Sequence, residues 1–340
     1  MKVAVFNDTR GDRGHLGCAL VMDRLDALIH ACGGKIVFRW PFDRDWRDAV
    51  NELPGPGEID LVVVNGEGTM HGAPDRPNAM ALAELGPFAK THFKAPAVLL
   101  NATFHNNDPA FYESLKAFDL VWLRDRMSCE TARQHGIEAR YCPDLTLSAH
   151  TPSLQGVRNG IGVTGSVAHR QDRILRGFAQ QVGGTFVSMV ETQSSPLSSL
   201  FTLSLGRMRS AWRERARHRE IGQGRIDDPH AFLKWTAGKA LIVTGRYHTV
   251  TLCVLTRTPF LYLESNTPKT TALVADVGLR TERKIEPEDL ENSGNGESVL
   301  SRSRFSDTET RAIATFLSDN EARFEEMKGS IRALLQTASR

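Results

Sequence analysis

Cysteine is sparse. The five, Cys18, Cys32, Cys129, Cys142 and Cys253, are scattered, odd in number and form no C-x-x-C pair, which excludes a disulfide framework and argues against a zinc ribbon. Long apolar runs are also missing. No stretch approaches the roughly 20 residues of a membrane span, and the run after Lys2 is too short for a secretory core. Reduced thiols in a cytoplasmic protein, at most touching the inner face of a membrane, are the expectation. Charge of one sign is scarce: 42 Lys and Arg against 40 Asp and Glu leave +2, so the overall balance calls for neither nucleic acid nor an anionic membrane. The Gly-rich turn "NGEGTMHG" (65–72) lacks both the G-x-G-x-x-G spacing and a P-loop lysine.

What the chain does have is 340 residues, 41% of them hydrophobic, enough for about two domains. Short apolar runs alternate with longer amphipathic stretches: "KVAVF" (2–6), "KIVFRW" (35–40), "DLVVVN" (60–65), "APAVLLN" (95–101) and "DLVWLR" (119–124). Strands apolar on both faces and separated by helices make a parallel sheet covered on both sides. A Pro- and Gly-containing linker is expected at 150–160, after which the pattern restarts with "GIGVTGS", "TFVSMV", "ALIVTG" and "PFLYLE". The reading is α/β, with two Rossmann-like doubly wound domains facing a cleft. Their expected spans are 1–150 and 151–315, with a C-terminal helix, 316–340, packed across both; "SDTE" (306–309) reads as a capping box. Residues 286–304 read as a solvated loop.

In such domains function collects outside the carboxyl ends of the strands, and polar clusters stand there. Arg246 and His248 in "VTGRYHTV" sit where a strand passes into an apolar helix, an entry at which backbone N–H groups and a guanidinium can hold an anion while an imidazole handles a proton. After the next strand come Asn266, Thr267 and Lys269, with Thr267 expected as N-cap, Pro268 at the first helical position and Lys269 completing an anion-binding pair. Thr164, Gly165 and Ser166 end a strand of the same half and, with Asn266 and Thr267, are expected to line the donor side. In "NGEGTMHG", Gly66 and Gly68 permit close backbone approach, and Glu67 is either a general base or a loop cap. Arg124 is a candidate anion ligand, and Ser128 reads as the cap of the following helix. Asn7, Asp8, His15, His71 and His105 stand in strand-end loops, where contacts to substrate hydroxyls are expected. The three histidines lack metal-binding spacing, so no metal is expected. The six arginines of "GRMRSAWRERARHRE" (206–220) read as a solvated helix face, or as a docking surface for an anionic glycan or a membrane leaflet.

The segment "ALIVTGRYHTVTLCVLTRTPFLYLESNTPKTTALVADVGL" resembles the C-terminal hallmark of the polysaccharide pyruvyl transferase family: R-x-H after a strand, a helix, another strand, then a lysine ahead of a helix. "VWLRDRMSCETARQHGI", "YCPDLTL" and "NDTRGDRGHLGCALVMDRL" resemble further family motifs, in the family's order, over residues 1 to about 280. The family's glycine triplet stands here as Gly66-Glu67-Gly68, and its leucine between Arg and His is Tyr247. The resemblance implies a GT-B-like fold and transfer of pyruvate, as a ketal, from phosphoenolpyruvate to a sugar. It also implies that Arg246 binds the donor and His248 is the general acid. Phosphoenolpyruvate is then a substrate and no cofactor is needed; the partner is a sugar or glycan acceptor, free or lipid-linked, with self-association left open. A GT-B glycosyltransferase using a nucleotide sugar, and a non-catalytic protein binding a glycan or phosphorylated metabolite, are the competing readings.

Overall fold

The structure, a computed structural model, describes residues 1–11, 15–151, 157–190, 226–291, 299, 301 and 304–338. The arginine-rich stretch 206–220 and residues 152–156 of the expected linker lie outside them.

The first half runs β1 (Lys2–Asp8), α1 (Leu16–Ala31), β2 (Lys35–Pro41), β3 (Leu61–Asn65), α2 (Pro77–Phe88), β4 (Ala97–Ala102), α3 (Pro109–Leu115), β5 (Leu120–Leu123), α4 (Arg126–Gln134) and β6 (Ala139–Tyr141). Its strands pair in parallel in the order β2-β1-β3-β4-β5-β6. Every residue of β3 and β4 is buried, as expected of Val- and Leu-rich strands covered by helices on both faces. The second half runs β7 (Ile161–Ser166), α5 (His169–Gln181), β8 (Thr185–Val187), α6 (Pro229–Gly238), β9 (Leu241–Gly245), α7 (Tyr247–Thr256), β10 (Phe260–Tyr262), α8 (Lys269–Val277) and α9 (Pro287–Glu291). Its parallel order is β10-β9-β7-β8. Both sheets change direction of winding beside their first strand, between β1 and β3 and between β7 and β9. Those are the crevices where open α/β sheets place ligands.

The halves share a core. One apolar cluster joins Val3, Leu25 and Trp122 of the first half to Val250, Val254 and Leu273 of the second. At its centre lies α7, all ten residues of which are buried, His248 and three threonines among them. Two of its threonines are satisfied: Thr251 Oγ1 meets Thr146 Oγ1 at 2.7 Å across the halves, and Thr256 Oγ1 donates to Leu252 O.

The C-terminal helix, α10 (Asp307–Ala338), begins at "SDTE". Its capping box forms, with Ser306 N–H donating to Glu309 Oε2 and Glu309 N–H to Ser306 Oγ. Arg283, buried against Phe260 and Phe305, donates to both oxygens of Glu309, while Arg332 donates to Ala31 O and Arg140 to Ser330. The helix therefore straps both halves. The stretch read as a solvated loop departs from that reading, because Leu290 and Val299 are buried with Ile285 in the apolar core of the second half. No helix among the described residues is long and apolar enough to cross a membrane.

Candidate active site

Arg246 is the N-cap of α7 and His248 its second residue, at the carboxyl edge of β9. Gly245 is required there, because a Cβ would fall 2.5 Å from Ser166 Cβ. One strand further, Pro268 rather than Thr267 occupies the cap position, and Lys269 opens α8. Two helix N-termini thus bring positive dipole ends and two cationic side chains to one edge of the sheet.

The first half presents Asn65, Gly66, Glu67 and Gly68 to that edge. Glu67 is 3% exposed with φ of 29°, and Asn7 (φ 64°) and Asn101 (φ 62°) also take left-handed backbone at the ends of β1 and β4. Such conformations are costly away from glycine and concentrate at sites whose surroundings impose them. Here close packing imposes them: a Cβ on Gly66 would lie 2.8 Å from Ala102 Cα. Glu67 Oε2 accepts from Thr9 Oγ1 at 2.7 Å and Asn65 Nδ2 at 3.2 Å, leaving Oε1 3.5 Å from His248 Nε2. The carboxylate caps its loop and faces the imidazole.

Asp144 is the second anion on His248, its Oδ2 3.8 Å from Nε2. It is fully buried, anchored by Thr146 N–H and Oγ1, and paired with Arg124 at 3.0 Å. Burial opposes its charge, but His248, Arg124 and the Thr146 bonds outweigh burial and hold its carboxyl below the ordinary value. His248 is the reverse case. Burial pulls it below the ordinary histidine value, and Asp144 and Glu67 only partly restore it. Lys269 is pushed down to about 8 by burial and by Arg124, with Glu67 opposing. Perturbed groups of both signs meeting at a strand-end crevice mark a functional site.

Several expected ligands are placed elsewhere. Arg124 is 1% exposed; its Nε and Nη1 are spent on Thr103 and Asp144, and its guanidinium stacks 4.4 Å from the Tyr247 ring centroid, so it positions Asp144 and is not an exposed anion ligand. Thr164 is buried, with its hydroxyl 2.5 Å from that of Thr244; Gly165 packs on Asp172; and Ser166 Oγ donates to Gln171. These three hold β7, β9 and α5 together. Asn7 donates inward to Asn65 O, and Asp8 pairs with Arg39 at 3.2 Å and with Arg10. Asp125, not Ser128, caps α4, accepting from Ser128 N–H, while Ser128 Oγ accepts from Phe104 N–H. Thr267 is buried and caps nothing. Asn266, exposed, accepts from Lys269 Nζ at 3.4 Å.

Gly68 approaches Lys269, whose Nζ lies 4.0 Å from where its Cβ would stand. His71 and His105 are joined by a β-bridge, and His71, beside Arg76, is driven to about 4 by burial and by that guanidinium. His15 caps α1, accepting from Cys18 N–H, and stands edge-on to His248 with ring centroids 5.7 Å apart. Donor atoms of His15, Cys18 and His248 lie within 4.8 Å of one another. Asp144, Tyr247, Cys18 and Gly17 escaped the sequence reading as functional positions. All four lie in quoted motifs, Asp144 in "YCPDLTL", Gly17 and Cys18 in "NDTRGDRGHLGCALVMDRL" and Tyr247 between Arg246 and His248.

A family model described as polysaccharide pyruvyl transferase matches residues 16–267. No curated protein matches the sequence significantly. Among solved structures, AviGT4, a glycosyltransferase involved in avilamycin A biosynthesis, is 13% identical over 99% of this chain and 98% of its own, with a TM-score of 0.50. TcCGT1 in complex with UDP is 10% identical over 99% of this chain and 98% of its own, with a TM-score of 0.52. These likenesses are of fold alone and place both sheets in the GT-B architecture.

Proposed function

Because the chain belongs to the polysaccharide pyruvyl transferase family, we propose that it transfers the pyruvyl group of phosphoenolpyruvate to a sugar of a polysaccharide or its precursor, closing a cyclic ketal. The observation that carries this reading is the position of His248, flanked by Glu67 and Asp144 and set beside Arg246 at the start of α7. Carboxylate and phosphate of the donor suit Arg246, Lys269 and the two helix N-termini. His248 protonates the methylene carbon, making it methyl. A sugar hydroxyl attacks the neighbouring carbon, the bond from that carbon to the phosphate oxygen breaks, and a second hydroxyl closes the ketal. Of the two hydroxyl protons, one restores His248 and the other leaves with phosphate.

The depressed basicity of His248 fits this order of events. In the unliganded protein burial favours the neutral ring; the donor's negative charge, brought into the same crevice, raises its proton affinity when an acid is needed. Glu67 and Asp144 orient the ring and stabilise its charged form. A cytoplasmic location is part of the same reading, in keeping with five cysteines that form no disulfide.

Titration calorimetry tests it. Phosphoenolpyruvate is expected to bind the wild type and not Arg246→Ala, with UDP- and GDP-sugars silent. Nucleotide-sugar binding with phosphoenolpyruvate silent would overturn the proposal in favour of a glycosyltransferase.

A further inference from the structure

Cys18 has no part in the transfer chemistry. Yet it is held at the third position of α1, 7% exposed, next to two histidines. We propose that His15, Cys18 and His248 form a binding site for a soft divalent cation, with zinc the natural occupant for one thiolate and two imidazoles. Three protein ligands leave a fourth position open, the pattern of zinc sites that exchange a ligand.

The geometry comes close to what such an ion needs. Ligand atoms around tetrahedral zinc stand about 3.3–3.8 Å apart, given bonds of about 2.0–2.3 Å. The donor atoms here already lie within 4.8 Å of one another, so small rotamer adjustments close the set. Gly17 permits it: the Nδ1 edge of the His248 ring lies against this glycine, where a Cβ would fall 2.5 Å from Cγ. Nδ1 therefore faces the start of α1 while Nε2 faces Glu67 Oε1 at 3.5 Å. A cation on Nδ1 leaves the Nε2 proton to Glu67, the carboxylate–histidine–metal arrangement that orients ligands and raises their basicity. A metal on His15 Nδ1 replaces a long, 3.3 Å bond from Cys18 N–H. Glu67, Asp144 and the thiolate offset the charges of Arg124, Arg246 and Lys269, so the pocket does not repel a cation outright.

Bound there, the ion withdraws His248 from proton transfer. That consequence rests on the pyruvyl-transfer reading; the site itself does not. The test is a titration of the chelator-treated full chain with Co2+ alone, without donor. One equivalent is expected, with a thiolate-to-cobalt charge-transfer absorption and the strong visible bands of four-coordinate cobalt. Cys18→Ser is expected to abolish the charge-transfer absorption and weaken binding about tenfold or more, whereas Cys32→Ser keeps both. If Cys18→Ser does not fold, as judged by circular dichroism, His15→Gln replaces it, with the expectation that affinity drops and the visible bands change. No bound cobalt, or a charge-transfer absorption that survives Cys18→Ser, overturns the proposal. Silence of the pyruvyl-transfer assay would leave these readings intact.

Discussion

Asp144→Asn offers the sharpest test of how the site is built. Asp144 and Arg124 are 0% and 1% exposed and 3.0 Å apart, so the substitution removes the anion while leaving a guanidinium buried. Asparagine keeps an oxygen for Thr146 N–H and Oγ1 but turns its NH2 toward the Arg124 donor, so the charge and the hydrogen bond to Arg124 are lost together. Breaking a buried pair from one side costs about 3–5 kcal/mol, far more than the pair adds over an apolar replacement. With an unfolding entropy of about 2.1 cal/mol/K per residue over the whole chain, the midpoint should fall by roughly 4–7 °C. Differential scanning calorimetry, with urea unfolding followed by circular dichroism, measures it. The double variant Arg124→Met with Asp144→Asn should recover a large part of the loss, because no charge then remains stranded. A shift of less than about 1 °C for the single variant, or a double variant less stable than either single, would refute the reasoning.

Gly17→Ala should both lower thermal stability and abolish turnover: its Cβ would stand 2.5 Å from His248 Cβ and Cγ, atoms too close to a buried backbone to swing away, and overpacking of that kind costs about 1–3 kcal/mol, more than the roughly 1 kcal/mol that alanine adds to a helix; activity and melting measured together check this. Lys269, held at about 8, is a cation below that pH and neutral above it, so calorimetric affinity for phosphoenolpyruvate should weaken from pH 7 to 9 in the wild type and be flatter in Lys269→Met. Glu309 is held down to about 2 from 4.5: burial opposes its charge, but Arg283 and the backbone N–H groups of Ser306 and Arg280 prevail. A depressed carboxyl stabilises the folded state above its unfolded value and loses that contribution as pH falls, so acid unfolding between about 4.5 and 2 should be less steep in Glu309→Gln than in the wild type.

Much of this protein is legible in the chain because it depends on local pattern. Strands such as "LVVVN" and "AVLLNA" are apolar on both faces and need helices on each side, so a parallel, doubly wound sheet follows from composition and alternation. "SDTE" announces the start of the last helix, and R-x-H at the seam of β9 and α7 announces the reactive edge. What pattern cannot supply is which polar residues at a strand end face the crevice and which face inward. Asn7, Thr164 and Arg124 have the same credentials in sequence as Glu67, yet their polar atoms go to Asn65 O, Thr244 and Asp144, while Glu67 turns one oxygen to His248. Asp144 reaches His248 across more than a hundred residues, and Cys18 and His15 reach it only because α1 packs against α7 through Gly17. The sequence by itself determined the layers, the two sheets and the chemistry of the edge. Only the tertiary structure decided the partners and protonation of His248, because burial and charge at that ring are set by residues from both halves of the chain.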